Sequence, residues 1–390
     1  MSHNSDRESP LILLADDDQS TRILLRLILQ KDGYRVIEVE NGQECVAAWQ
    51  EHQPDMILLD AMMPVMDGFD CCEQLNQIEV GEFKIPVLMI TGLNDKESVD
   101  RAFAVGATDY ITKPIHPPVL RQRLARVLKA AKAEKALKQN EALLIQQNLK
   151  LQSELDRAAD YVQSLLPKPL DNKITIEQCF APSAQLGGDI FDYYWLDPNH
   201  LVVYLLDVAG HGIRSALLSI SVFNILRSQS LYNTDFYEPW TVLTELNRLF
   251  QMNELGDNYF TIWYGVIDTS DRELVYASAG HPSGILLSQT KQSIKYLDND
   301  NIPIGMLDEY AFEQNICPID PNDTLYILSD GVYEVPQANG QLWGFDNLVE
   351  LIAKHQDNDN FNLEKIWHHA RKQHKCQTLD DDFSLLKITI

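Results

Sequence analysis

The chain lacks the features that would place it in several large classes of protein. No uninterrupted apolar run is long enough to span a bilayer, and the polar start "MSHNSDRESP" has no signal-peptide apolar region. No membrane partner is expected, and the compartment expected is the cytoplasm. The six cysteines (Cys45, Cys71, Cys72, Cys179, Cys317, Cys376) form no C-x-x-C pair and no zinc spacing. Their scatter suggests reduced thiols, in keeping with that compartment. Basic residues are scarce: 32 Lys and Arg stand against 57 Asp and Glu, a net charge of −25. Phosphate backbones attract Lys and Arg, so a nucleic-acid partner is not expected. Most of the acidity serves solubility, but it is also compatible with divalent-cation sites.

Glycine is absent from residues 119 to 166, and no proline intervenes before Pro167. Ala, Leu, Gln, Lys and Glu dominate there. Leu137, Leu144, Leu151, Ala158 and Leu165 recur every seven residues, with Leu155 and Val162 offset between them. That is the seam of a coiled coil, favoured as a homodimer over one long helix packed on its own domains. Glu141 and Asn148 are polar seam positions of the kind that fix register at a cost in stability. Pro167 and Pro169 end the run.

The remaining composition, 45% hydrophobic and 23% charged over 390 residues, is globular and sufficient for more than one core. Residues 10 to about 120 alternate strand-like and helix-like runs: "LILLA", "STRILLRLILQKDG", "YRVIEVE", "GQECVAAWQEH", "DMILLD", "IPVLMITG", "ESVDRAFAVGA" and "DYITKP". This βα alternation predicts a parallel sheet covered on both faces. Ligands of such sheets bind beyond the carboxyl ends of the strands. Asp16 and Asp17 end the first strand, Asp60 the third, Thr91 the fourth and Lys113 the fifth, so all five polar groups should converge. Clustered carboxylates suit Mg2+, beside which one of them can take a phosphoryl group held by a hydroxyl and an ammonium.

From about residue 170 the chain turns β-rich, with strands expected near "LVVYLLDV", "TIWYGVID", "ELVYASAG", "TLYILSD" and "FSLLKITI" and a helix over "IRSALLSISVFNILRSQ". A larger α+β domain with stacked sheets is expected. Within it, "GGDIFDYYW" places Asp189 after two glycines, "LLDVAGHG" gives Asp207, "YILSDGVYE" gives Asp330, and "LDDDFSLLKI" gives Asp381 and Asp382 before the last strand. If two sheets face each other, these strand ends meet at one rim. Mutual repulsion would forbid that without cations, and two divalent metals activating a water for attack on a phosphate ester would satisfy it. Gly210 and Gly212 allow a tight turn. Asp192 reads as a turn or surface group, and His211 as a packed or capping histidine rather than a ligand.

The segments "ADDDQSTR", "LLDAMMPVMDG", "MITG" and "GATDYITKPI" resemble the receiver domain of bacterial response regulators, over residues 10 to about 128. The resemblance implies Asp60 as the phosphorylated residue, with Thr91 and Lys113 beside it. It implies Mg2+ held by Asp17 directly, by Asp16 in support, by Asp60 and by the Met62 carbonyl. The phosphodonor implied is a histidine kinase or phosphotransfer protein, and Tyr110 stands where the family often has its switch aromatic.

From about 160 to 390, "ADYVQSLLPKPL", "GGDIFDYY", "DVAGHGIRSAL", "ASAGHPSGILL", "NIPIGM", "LYILSDGVYEV" and "DDDFSLLKI" follow in the order of the SpoIIE-like and RsbU-like metal-dependent serine/threonine phosphatases. This resemblance implies an αββα sandwich and two Mn2+ or Mg2+ ions. It implies Asp189, Asp207, Asp330, Asp381 and the Val208 carbonyl as ligands, with Asp382 the alternative to Asp381. A phosphoserine protein, of the anti-sigma-factor-antagonist type, is the substrate it suggests. The domain order expected is a disordered N-terminus (1–9), a doubly wound α/β receiver (10–128), a coiled-coil helix (129–166) and an α+β phosphatase domain (167–390). The competing reading is an adaptor that keeps the phosphatase fold only to bind a sigma factor. An adaptor has no need of the aspartate set, which here is whole.

Overall fold

A computed structural model of the chain describes residues 9–78, 84–92, 96–210, 212–251, 259–288, 292–298, 300–337, 340–355, 362–373 and 379–390. It divides into two compact units, Met1–Leu149 and Lys150–Ile390.

The first unit carries the strands β1 (Leu11–Ala15), β2 (Arg35–Val39), β3 (Met56–Asp60), β4 (Val87–Thr91) and β5 (Asp109–Thr112). They form one all-parallel sheet in the order β2-β1-β3-β4-β5. The helices are α1 (Gln19–Lys31), α2 (Gly42–His52), α3 (Gly68–Gln77), α4 (Lys96–Ala104) and α5 (Pro117–Leu165). The sequence reading had no helix at α3. Its start is set by Asp67, whose carboxylate caps the Asp70 N–H at 2.8 Å. Strand alternation sends Leu13, Ile57, Leu59 and Met89 against α2 and α3, and Ile12, Leu14, Leu58 and Ile90 against α1 and α5. That is the doubly wound arrangement expected.

Helix α5 is continuous over 49 residues. Leu120, Leu124, Val127 and Leu128 bury its first turns, and Asp109 on β5 pairs with both Arg123 and Arg126. The seven-residue repeat expected to form a coiled coil thus continues the last helix of the first unit rather than forming a separate element. Beyond Leu128 its apolar positions emerge into solvent: Leu137, Leu144 and Leu151 are 68%, 58% and 56% exposed.

The second unit has strands β6 (Leu170–Asp171), β7 (Thr175–Ala181), β8 (Ile190–Trp195), β9 (His200–Val208), β10 (Phe260–Asp268), β11 (Glu273–Ala279), β12 (Gly284–Ser288), β13 (Ser293–Leu297), β14 (Asn315–Pro318), β15 (Thr324–Leu328) and β16 (Phe383–Thr389). They make two antiparallel sheets, β14-β11-β10-β9-β8 and β13-β12-β15-β16-β7-β6. Four helices are described: α6 (Ile213–Arg227), α7 (Pro239–Leu249), α8 (Phe345–Lys354) and α9 (Leu363–Gln373). Even-numbered β9 residues (Val202, Tyr204, Leu206, Val208) pack with α6 and α7, while Leu201, Val203 and Leu205 face the other sheet. On the far sheet, Leu325 and Ile327 face inward, while Tyr326 and Leu328 pack with α8 and α9. The layers run helix, sheet, sheet, helix, the αββα sandwich expected. Among the described residues no helix is long and apolar enough to cross a membrane.

Candidate functional site

Two acidic centres emerge, one in each unit. In the first, the ends of β1 and β3 bring oxygens of Asp16, Asp17 and Asp60 within 4.8 Å of one another. Lys113, just past β5, places its ammonium 3.0 Å from Asp60 Oδ2 and 3.2 Å from Asp16 Oδ2. Thr91 is buried at the end of β4, the strand between β3 and β5. Burial pushes the Asp60 carboxyl up to about 6, opposed by Lys113 and reinforced by Asp16 and Asp17. The backbone behind Asp60 is tight. A side chain on Gly68 would begin 2.0 Å from the Asp60 carbonyl oxygen, so only glycine fits there. Met62 is 60% exposed on the adjoining loop, and Tyr110 is half-buried in edge contact with Phe103. All five polar groups expected to converge occupy one edge of the sheet. Three hard oxygens with one ammonium fit a single divalent cation and a phosphoryl group.

The second centre lies at the inter-sheet rim of the second unit. The alternation that sends Leu205 inward also sends Asp207 inward, and Phe191 and Tyr193 set the same face for Asp189. Asp330 opens a 3-10 turn after β15, and Asp381 precedes β16. Gly210 and Gly212, both at positive φ (90° and 98°), turn the chain from β9 into α6. Beside that turn, a side chain on Gly188 would begin 2.7 Å from the Val208 carbonyl oxygen. His211 lies outside the described residues.

The rim is electrostatically strained in the way cations relieve. Burial, then the charges of Asp330, Asp381 and Asp382, push the Asp207 carboxyl up to about 7, offset in part by a hydrogen bond with Asp189. Asp189 is driven well above the carboxylate range by burial and by Asp207 and Asp382, with Ser384 and Ser329 opposing. Asp330 is raised by burial and Glu334. Asp189 Oδ2 is buried with no hydrogen-bond partner. An orphaned carboxylate oxygen among further carboxylates suits a divalent cation, so the residues fit the ions expected there. Among the described residues no three of these rim carboxylates come within 4.8 Å of one another, as Asp16, Asp17 and Asp60 do in the first unit.

Asp382 is committed elsewhere. One carboxylate oxygen accepts from Ser183 N (2.8 Å) and Ser183 Oγ (2.9 Å), the other from Gly188 N (2.6 Å) and Asp189 N (3.2 Å). Removing it would orphan buried N–H groups at about 1–3 kcal/mol each. Asp382 therefore shapes the loop that carries Asp189, while Asp381 stays exposed at the rim. Sequence reasoning missed this division, and only burial separates the two neighbours. Asp192 corrects the expectation of a turn or surface group. It lies inside β8, is fully buried, and pairs with Arg227 at the end of α6. Its even position turns it away from Asp189 and toward the helical layer.

One consequence is testable in the metal-free protein. A carboxyl whose folded-state pKa is raised contributes stability below its unfolded value of 3.8 that is lost as pH rises through the folded value. Asp207 at about 7 and Asp60 at about 6 act in the same direction. With EDTA present, the melting temperature is expected to fall between about pH 5 and about pH 8. Mn2+ binds the charged form, so its stabilising increment should grow over that same interval. Calorimetric melts with EDTA and with Mn2+ at the two pH values check this.

Both units resemble known proteins. Residues 12–125 match the response regulator receiver domain, and residues 197–390 match the stage II sporulation protein E (SpoIIE) family. The phosphoserine phosphatase RsbP of Bacillus subtilis (strain 168) is 29% identical over 248 residues, which are 62% of this chain and 59% of RsbP. The phosphoserine phosphatase RsbU of the same organism is 29% identical over 244 residues, 62% of this chain and 71% of RsbU. The SiaA-PP2C domain of Pseudomonas aeruginosa superposes with a TM-score of 0.54 at 18% identity, covering 62% of this chain and 98% of that domain. That last likeness is one of fold.

Proposed function

We propose that this chain, a response-regulator receiver fused to a SpoIIE-type PP2C domain, is a two-component regulator in which phosphorylation of Asp60 controls a metal-dependent phosphoserine phosphatase. The observation that carries the reading is the inter-sheet rim. Carboxylates from four separate stretches meet there, and one buried oxygen, Asp189 Oδ2, lacks any protein partner.

Asp189, Asp207, Asp330, Asp381 and the Val208 carbonyl would hold two Mn2+ or Mg2+ ions. The chemistry such ions supply when bound is neutralisation of the ester's charge and activation of water for in-line attack. The chain's own contribution is position. Asp382 fixes the Gly188–Asp189 backbone, the hydroxyls of Ser329 and Ser384 flank Asp189, and the Val208 carbonyl lies against Gly188 beside it.

In the receiver, an Asp60 carboxylate oxygen attacks the phosphorus of the donor's phosphohistidine, and the P–N bond breaks. Lys113 and Thr91 hold the transferred phosphoryl oxygens, and Asp16, Asp17, Asp60 and the Met62 carbonyl would hold Mg2+. The donor is a histidine kinase or phosphotransfer protein. The substrate of the phosphatase is a phosphoserine protein of the anti-sigma-factor-antagonist type, a reading supported by the likeness to two phosphoserine phosphatases. The exposed leucines of α5 support a homodimer through that helix.

Hydrolysis of p-nitrophenyl phosphate tests the enzymatic reading. Turnover that requires Mn2+ or Mg2+ is expected, whereas a pure sigma-factor adaptor would give none at any metal concentration. The receiver reading has its own test. Acetyl phosphate with Mg2+ should give one acyl phosphate per chain, removable by hydroxylamine, and Asp60→Ala should abolish it. Undiminished labelling of that variant would overturn the assignment.

A further inference from the structure

The crossover between the two sheets at the rim carries a buried histidine that the proposed chemistry does not use. β11 belongs to the sheet of Asp207 and β12 to the sheet of Asp330, so residues 280–283 pass from one to the other. This turn is built to hold one shape. Ser278 Oγ donates to the His281 carbonyl at 2.9 Å, and Gly280 N donates to the Asn301 carbonyl at 3.1 Å. Gly280 has φ +64°, and a side chain there would begin 2.5 Å from the Pro303 ring. Asn301 is in turn held on both sides by Glu313 backbone groups, at 2.8 and 2.9 Å.

The turn aims the His281 ring inward. It is 6% exposed, and Nδ1 lies 2.8 Å from Thr261 Oγ1. Burial drives the ring down to about 3, against a smaller upward push from the Leu328 main chain, so it is neutral at working pH. Thr261 is the direct cross-strand partner of Asp207, so the two side chains share the inward face at about 5 Å between Cβ atoms. Leu328 ends β15 two residues before Asp330. The ring thus borders a cavity of about 420 Å³ whose wall includes Thr261, His281, Ser283, Tyr333 and Asp330.

We propose that His281 is a positioning residue of the metal rim: from the crossover it fixes the Thr261 hydroxyl beside Asp207 and so sets that carboxylate at the spacing from the Asp330 sheet that metal binding requires. This rests on the phosphatase reading above. Groups that orient a metal ligand from behind change affinity for the ion by roughly 10- to 100-fold when removed. They do so without touching the substrate.

The test uses the full-length protein and Mn2+ alone, followed by calorimetric titration, with KM and kcat for p-nitrophenyl phosphate as a second readout. His281→Ala and Thr261→Val are each expected to weaken Mn2+ binding roughly 10-fold or more and to leave KM near that of the parent. Thr261→Ser, which keeps the hydroxyl, should restore affinity. The double variant should be no weaker than the worse single one, because both act through one contact. Thr261→Val removes only a hydroxyl, so it carries the test if His281→Ala does not fold. Parental Mn2+ affinity in Thr261→Val, or equal losses in Thr261→Ser and Thr261→Val, would overturn the proposal. If the parent protein itself does not turn over substrate at any Mn2+ concentration, the phosphatase reading fails instead, and the positioning role falls with it.

Discussion

Replacing Asp207 or Asp330 by Asn is expected to reduce phosphatase turnover by roughly a thousandfold or more, with the protein still folded. Metal-ion stabilisation of transition-state charge contributes several kcal/mol, and each ~1.4 kcal/mol is a factor of ten in rate. Asn keeps the volume and one acceptor oxygen but removes the charge that would bind a divalent ion. The fold should survive because the charge is a burden to the metal-free protein: burial and like charges already push the Asp207 carboxyl up to about 7. In EDTA, Asp207→Asn should therefore melt no lower than the parent at about pH 8, while it loses the Mn2+-dependent gain in melting temperature. The pairing of lower activity with unchanged or raised metal-free stability separates a ligand from a structural carboxylate. Asp382→Ala should show the opposite, a fall in metal-free stability, because Ser183, Gly188 and Asp189 would lose their acceptor. Near-full turnover of both Asn variants at saturating Mn2+ would remove the two-metal reading.

Much of this site was legible because strand ends and parity are written in the sequence. The run Leu201–Leu206 is apolar on both faces, which marks a strand buried from both sides, and a carboxylate one step later stands out. Asp60 and Lys113 were legible for the same reason, since a parallel sheet collects its loops at one edge. Two things were not. Asp381 and Asp382 are chemically alike, and only the packing of the 183–189 loop commits the second to backbone donors. Asp192 was misjudged because its acidity was weighed and its parity was not. Ile190, Asp192 and Tyr194 alternate toward the helical layer, a pattern visible in the segment itself. The cation that balances Asp192, Arg227, lies 35 residues on, beyond the reach of any local reading. His281 sits in the quoted "ASAGHPSGILL", but nothing local says that the turn crosses between sheets.

Helix α5 gives the second large effect. Its continuity from Pro117 to Leu165 means that the seven-residue repeat runs on from a segment buried in the receiver, and its far end, Leu165, packs on the core beneath α6. A helix of this kind is expected to transmit a change at one end to the other, which a Gly/Ser linker would not. Leu144 and Leu151 are more than half exposed along the stretch between, so pairing with a second copy is what would bury them. Leu144→Asp with Leu151→Asp would put four carboxylates into the apolar seam of a dimer, across only about four heptads. Light scattering is expected to fall from twice the 44.5 kDa chain mass to one. Both positions are solvent-exposed in the single chain, so its two units should fold as before, and Asp60 should still accept phosphate from acetyl phosphate. The rate on p-nitrophenyl phosphate should then cease to respond to that phosphate. Two states of the helix pair, each biased from both ends, are what such coupling requires. A monomeric variant that still responds fully would show that the signal passes within one chain.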